Sequence, residues 1–315
     1  MLCINLKSTE PSFNLAAEEY FLKNSNEEYL LLYINKPSVI IGKHQVAHRE
    51  SDTKYVTTNN IPVIRRITGG GSVYHDYGNL NFSFILNSTA GNQVNFRKYT
   101  RPVTEFLSSL GLDAKFEDKN DLRTGGYKIS GNAEHIYRER VLHHGTLLYS
   151  SDLDALHASL RKDISHYTTK AVRSNPSPVT CFRNIIGLDD INEFRDLMFR
   201  YFLGSDADRM TELTQEDIVK IEMIEDKKYN TWEWNYGYGP DYIFENRTDI
   251  SGRQVFFRFR VSDGIITDPE FDESDRYRLT ILKKIRGCRH MPQALKDFFR
   301  EERIIIQDSD IFKFF

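Results

Sequence analysis

Cysteine is scarce in this chain: Cys3, Cys181 and Cys288 in 315 residues, odd in number and far apart. Such a set suggests reduced thiols in a cytoplasmic setting rather than a disulfide framework. Long apolar runs are missing too. None reaches the roughly 18 residues a membrane helix needs, and Met1 to Leu6 lacks the basic start of an export signal. Charge of one sign is lacking: 42 basic and 45 acidic residues leave a net −3. Bulk attraction to nucleic acid or to an anionic membrane is therefore not expected, and either would need a local basic patch. No repeat or low-complexity segment occurs. What is present is material for a core, 40% hydrophobic and 13% aromatic residues, in a length that suits one large domain and a small one.

The glycines mark the most unusual stretch. Arg65-Arg66-Ile67-Thr68-Gly69-Gly70-Gly71-Ser72-Val73-Tyr74-His75-Asp76 sets two cations before three adjacent glycines, and Gly78 and Asn79 follow. Glycines expose main-chain N–H groups and let backbone approach a ligand, and the arginines supply positive charge. The combination suits a phosphate-bearing anion. Ile61 to Ile67 reads as a strand, and Leu80, Phe82, Phe84 and Leu86 alternate with Asn81, Ser83, Ile85 and Asn87, mostly at strand period, as a second. The glycines thus lie between strands. No Lys-Ser/Thr pair follows, which excludes a P-loop, and the spacing fails G-x-G-x-x-G. The plainer alternative is a glycine-rich hairpin, which would leave three residues with nothing to pack.

Elsewhere, Ser12 or Asn14 is expected to cap a helix through Leu22. Leu30–Ile34 and Val39–Ile41 read as buried strands, the second ending at polar Gly42-Lys43-His44-Gln45, either a ligand-facing strand end or a solvated turn. Tyr99, Val103, Phe106, Leu107 and Leu110 recur at helical spacing, with Pro102 expected in the first turn. Lys128-Ile129-Ser130-Gly131 and Val141–Leu148 read as strands joined by a charged turn. A lone strand lysine is commonly an edge gatekeeper. Beside Lys128, however, Ser130-Gly131 permits close backbone approach and favours a ligand contact. His143 and His144 should face opposite ways, so one is expected at a ligand and a metal site from the pair is disfavoured. Thr214 with Asp217 predicts a capping box, and Trp232 and Trp234 a structural anchor. After Pro240 the pattern changes. A strand over Gln254–Val261, a hairpin at Asp263-Gly264, a return strand, a helix from Ser274 to Gly287 and another over Gln293–Phe299 predict a small α+β accessory domain. The expected division is residues 1–240 and 241–315.

Together these blocks resemble lipoate–protein ligase A. The matching pieces are Phe13-Asn14-Leu15-Ala16-Ala17-Glu18-Glu19, Ile41-Gly42-Lys43-His44-Gln45, the Arg65–Asn81 loop, Asn120-Asp121-Leu122, Lys128-Ile129-Ser130-Gly131, Leu142-His143-His144-Gly145-Thr146-Leu147-Leu148 and Thr231-Trp232-Glu233-Trp234-Asn235. They keep the family's order over nearly the whole chain. The resemblance implies an α/β (α+β) fold: a biotin/lipoate protein ligase-type catalytic domain with mixed β-sheets and flanking helices, plus the small accessory domain. It implies a cytoplasmic ligase that uses ATP and Mg²⁺ to convert lipoate to lipoyl-AMP with pyrophosphate release. The lipoyl group would then pass to a specific lysine of lipoyl domains of 2-oxoacid dehydrogenase complexes or of glycine-cleavage H protein. Neither nucleic acid nor membrane is an implied partner. By similarity Lys128 is the catalytic residue and also contacts the adenylate. Arg66, Gly69, Gly70, Gly71, Ser72, Val73 and Tyr74 match nucleotide contacts, His75, Asn79 and His144 are further candidates, and Asp121 matches the position near phosphates and Mg²⁺.

The chain departs from the family's pattern in places. Pro176 stands where related ligases have an arginine, with Arg173 a candidate substitute. Cys181 nearby raises an acyl-thioester route, although nothing around it marks a low-pKa thiol. Two alternatives remain at this level, a lipoyltransferase using a preformed lipoyl-AMP or lipoyl group and a non-catalytic lipoyl or adenylate binder. Lys43, His44, Arg49, Arg138 and Arg140 are candidates for a basic rim that meets an acidic acceptor domain.

Overall fold

The computed structural model describes residues 1–88, 95–117, 120–250, 253–271 and 283–315. Its largest sheet has seven strands in the order β1 (Leu2–Asn5), β2 (Tyr29–Ile34), β6 (Asn79–Asn87), β10 (Arg140–Leu148), β9 (Tyr127–Tyr137), β8 (Asp121–Thr124) and β7 (Lys115–Glu117). β1 runs parallel to β2 and the remaining pairs are antiparallel. Successive residues of a strand face opposite sides, and both sides are covered. Leu30, Leu32, Phe82 and Phe84 pack against Val103, Phe106, Phe194 and Met198 of the helices Phe96–Ser109 and Ile191–Leu203. Leu31, Tyr33, Ile85 and Leu142 pack against Leu15, Ala16 and Phe21 of the helix Pro11–Asn24. A hydrophobic residue in nearly every position of β2 is what a strand buried on both faces requires.

A second sheet has β3 (Ser38–Ile41) in its centre, parallel to β4 (Val63–Arg65) and antiparallel to β5 (Val73–His75). The glycines therefore join β4 to β5, and a further turn at Asp76–Gly78 leads into β6. The strand expected over Leu80–Leu86 is β6, and the short β5 is an additional strand between it and the glycines.

Two helix starts differ from expectation. The first helix begins at Pro11, whose fixed φ suits the first turn. Ser12 Oγ instead donates to Glu225 (2.6 Å), and Asn14 Nδ2 to Ser8 O (2.9 Å) and Asn35 Oδ1 (2.8 Å). The helix around Pro102 begins at Phe96, capped by Asn95, whose side chain accepts from Lys98 N at 3.1 Å. Pro102 is thus interior. The buried stripe of Tyr99, Val103, Phe106 and Leu107 holds the helix despite the missing N–H. The Thr214–Asp217 capping box is present, with reciprocal bonds of 2.9 and 3.1 Å.

The third sheet is β11 (Tyr167–Thr168), β12 (Tyr242–Ile250), β13 (Arg253–Ser262) and β14 (Ile265–Phe271), antiparallel throughout. Asp263 and Gly264 both have positive φ, 48° and 72°, the two-residue turn that matches strand twist. Phe244, Phe257, Phe259, Ile266, Leu295 and Phe299 form its core, and Val46 from far earlier in the chain joins them. His48 Nε2 reaches His290 O at 2.7 Å. The helix expected from Ser274 falls almost wholly outside the described residues.

Candidate active site

β4 leads into two arginines that turn opposite ways. Arg65 is fully buried, and its guanidinium donates to the carbonyls of Gly42 (3.1 Å), Lys43 (3.0 Å), Gln45 (2.7 Å), Trp234 (2.9 Å) and Asn235 (3.0 Å). Arg65 is a structural tie, which corrects the expectation that both cations serve the glycines. Trp234 Nε1 donates back to Arg65 O at 2.7 Å, as an anchor should. Arg66 is buried facing the glycines, and burial pushes its pKa down to about 10, which leaves it cationic at neutral pH. Its Nη2 donates to Gly69 O (2.6 Å) and Gly71 O (2.7 Å). In a trans peptide the N–H points away from the C=O. Pinning these carbonyls on Arg66 therefore turns the N–H groups of Gly70 and Ser72 away from it. Gly70 has φ +88°, and a Cβ on Gly42 would lie 2.2 Å from Gly70 O, so the two turns touch backbone to backbone.

A cavity of about 510 Å³ opens here. Gly70, Gly71, Ser72 and Val73 line it together with Asp121, Lys128, Gly131, Leu15, Tyr33, Ile40, His75, Asn81, Ala133 and His144. Lys128, the second residue of β9, places Nζ 2.8 Å from Asp121 Oδ1. Arg123 Nη2 lies 3.2 Å from the other Asp121 oxygen and donates to Ser177 Oγ at 2.6 Å. The proline-bearing segment is stitched over the site. Lys128 N donates to Pro178 O (2.9 Å), Thr180 N to Lys128 O (3.1 Å) and Ser72 N to Ser174 Oγ (2.8 Å). Ser174 Oγ in turn donates to Glu50 Oε2 (2.6 Å). Arg173 and Pro176 both line the cavity, so a cation is present in this segment close to the proline.

His75 is buried with Nδ1 2.9 Å from Asn35 Nδ2. Burial, then Arg66 and His144, push its pKa down to about 3, so the ring is neutral. His144 lines the cavity. His143 faces the other way, paired with Glu134 at 2.9 Å among Phe82, Phe84, Phe96 and Tyr99. Three expected contacts do not line the cavity. The Gly69 carbonyl is taken by Arg66. Tyr74 lies between Val73 and His75 on the opposite face of β5, packed with Val39, Ile41 and Val63. Asn79 is fully buried and donates to Asn81 Oδ1 at 2.9 Å; Asn81 lines the cavity in its place. Burial raises the Cys181 thiol to about 11, so it is not a thiolate at neutral pH. Arg49 and Arg140 are buried and leave the basic rim to Lys43, His44 and Arg138. Sequence reading gave no role to Tyr33, Thr68 and Ser174. Each is one polar residue in an apolar or loop context, and only the long-range pairings give it meaning.

A mixed α/β fold that sets an arginine-pinned glycine turn beside a lysine–aspartate pair in one cavity defines a biotin/lipoate ligase-type catalytic domain. Residues 10–203 match the family model described as the lipoyl protein ligase A/B catalytic domain. The chain belongs to the lipoate–protein ligase family. Lipoate–protein ligase 1 of Staphylococcus aureus is 40% identical over 265 residues, 83% of this chain and 81% of that protein. A solved lipoate–protein ligase A bound with ATP is 30% identical, with a TM-score of 0.63 over 75% of this chain and 98% of that one. A bi-partite lipoate protein ligase from Thermoplasma acidophilum, studied with its E2 lipoyl domain, gives 29% identity and a TM-score of 0.63 over 75% and 96%.

Proposed function

We propose that this chain is an ATP-dependent lipoate–protein ligase. The observation that carries the reading is the placement of Lys128 and Asp121 in the cavity that Gly70, Gly71 and Ser72 also line. The lipoate carboxylate attacks the α-phosphorus of ATP, pyrophosphate leaves, and a mixed anhydride with AMP remains. Two anions repel as they meet. The Lys128 ammonium, aimed by Asp121, lowers that repulsion and stabilises the charge that grows on the phosphoryl oxygens. The outward N–H group of Gly70 suits a phosphate oxygen, that of Ser72 being held by Ser174 Oγ, and Arg66 adds fixed positive charge behind them. Leu15, Tyr33, Ile40 and Ala133 offer an apolar slot for the acyl tail. An acceptor lysine then attacks the carbonyl and AMP leaves.

Among the described residues no group of three or more His, Cys, Asp or Glu could hold a metal. One carboxylate fits Mg²⁺ when nucleotide phosphates supply most of the oxygens, and Asp121 is that carboxylate. Bound there, the ion would neutralise phosphate charge. We read the acceptors as lipoyl domains of 2-oxoacid dehydrogenase complexes and glycine-cleavage H protein, approached over Lys43, His44 and Arg138. Residues 241–315 are read as the accessory domain and 1–240 as the catalytic one. Free Cys3, Cys181 and Cys288 suit a cytoplasmic protein.

Mixing protein, lipoate, Mg²⁺ and ATP should release pyrophosphate, and a lipoyl mass should then appear on an added acceptor domain. Acceptor modification that needs lipoyl-AMP and proceeds without pyrophosphate release identifies the transferase instead. Neither product leaves only a binder.

A further inference from the structure

Glu18 sits beneath the cavity wall, 1% exposed, and does not line it. Its carboxylate accepts from Tyr33 OH at 2.7 Å, from the Ser83 hydroxyl, and from His144 Nδ1 at 2.9 and 3.1 Å. Burial alone would raise its pKa, but His144 and the two hydroxyls bring it below the ordinary value, so the group is a carboxylate. Three donors on one carboxylate fix the His144 ring with its Nδ1 proton on Glu18. His144 Nε2 then meets Thr68 Oγ1 at 2.8 Å. Thr68 Oγ1 already accepts from Arg66 Nε at 2.8 Å, and a hydroxyl has both a proton and a second lone pair to offer the imidazole. Arg66 ends the chain on the carbonyls of Gly69 and Gly71.

We propose that Glu18 is a positioning residue: through His144 and Thr68 it orients Arg66 and so presets the glycine turn for an anion before any ligand arrives. The reason is geometric. Tyr33 and His144 line the cavity along with Leu15 and Ile40, and Gly70, whose N–H is turned away from Arg66, lines it too. The hydrogen-bonded chain joins His144 to the glycine turn, buried throughout, where such bonds are stronger than in water and an unmet partner is costly. Glu18 does not touch the reacting atoms, and its part is to hold what does.

The kinetic test rests on the ligase reading and uses Thr68→Val, Thr68→Ser and Glu18→Gln in the full-length protein. In pyrophosphate release, Thr68→Val and Glu18→Gln should lower kcat/KM for ATP by about 10- to 100-fold, the size expected for one lost bond to a charged group. KM for lipoate should move little. Thr68→Ser, which keeps the hydroxyl, should recover most of the loss. A second arm needs no turnover. Hydrogen exchange of the free protein should be faster at residues 69–73 in Thr68→Val and Glu18→Gln, and near wild type in Thr68→Ser. The proposal is overturned if exchange at the turn is unchanged in both Thr68→Val and Glu18→Gln. It is equally overturned if Thr68→Ser is as impaired as Thr68→Val. A wild-type protein that releases no pyrophosphate yet shows the exchange pattern would sink the ligase reading and leave the positioning role standing.

Discussion

Lys128 Nζ lies 2.8 Å from Asp121 Oδ1, and the two side chains come from neighbouring strands of the large sheet. The carboxylate keeps the ammonium in one place without covering it, since the lysine side chain is still 22% exposed. Lys128→Ala should slow pyrophosphate release by about 100-fold or more, the scale of one transition-state charge donor. Single-turnover kinetics with ATP and lipoate measures it. Wild-type rates in that variant would remove Lys128 from the mechanism.

Arg65 and Arg66 should part company when each is replaced. Arg65→Ala strands five buried carbonyl contacts and leaves a void, a loss of about 3 kcal/mol or more. It should show first as a lower melting temperature. Arg66→Ala should weaken ATP binding, with the Trp234 fluorescence environment unchanged. Equal melting losses with no difference in ATP affinity would contradict this division.

Gly42→Ala tests the contact between turns. The new methyl would lie 2.2 Å from Gly70 O, a backbone atom that must give way. KM for ATP should rise while circular dichroism stays native. An unchanged KM would mean that the turn can shift without harm.

Cys181→Ser should keep both half-reactions within about twofold of wild type, because a protonated thiol is no nucleophile. Loss of transfer alone, with adenylate formation intact, would revive the acyl-thioester route.

Acid should loosen the fold earlier than surface carboxylates dictate. Burial pushes His290 down to about 3 and holds His48 well below its ordinary value. Both are neutral when folded and titrate near the ordinary 6.5 when unfolded. Stability is therefore full above pH 6.5 and declines as pH falls from there toward the folded-state values. Each histidine contributes a slope of about 1 kcal/mol per pH unit. Denaturant melts at pH 7.5, 6.5 and 5.5 measure it, and a flat profile would show that these rings take up protons without unfolding.

Much of this was legible in the chain itself. The alternation in Leu80–Leu86, the Asp263-Gly264 turn and the Thr214–Asp217 box are local signals, and local physics decides them. Lys128 and the loop that begins at Arg66 could be singled out because a charge or a glycine in an apolar run needs a reason, whereas Asp121 and the choice of His144 over His143 rested on the family resemblance. Arg65 misled because neighbouring strand residues face opposite ways, and sequence alone does not say which side holds the cavity. Tyr74 faces away from the cavity for the same parity reason, whereas Asn79 shares its face with Asn81 and is spent on the Asn81 amide. The role of Glu18 is not legible in the sequence, since its three partners come from residues 33, 83 and 144 and no window of sequence contains them.

Val46 follows directly on the Gly42–Gln45 turn yet belongs to the core around Phe244 and Phe259, and Tyr167–Thr168 is the outer strand of the same sheet. Shortening the gene at codon 240 would thus yield not a minimal enzyme but a protein with an open apolar seam next to its nucleotide pocket. A split version should work only if both halves are made together.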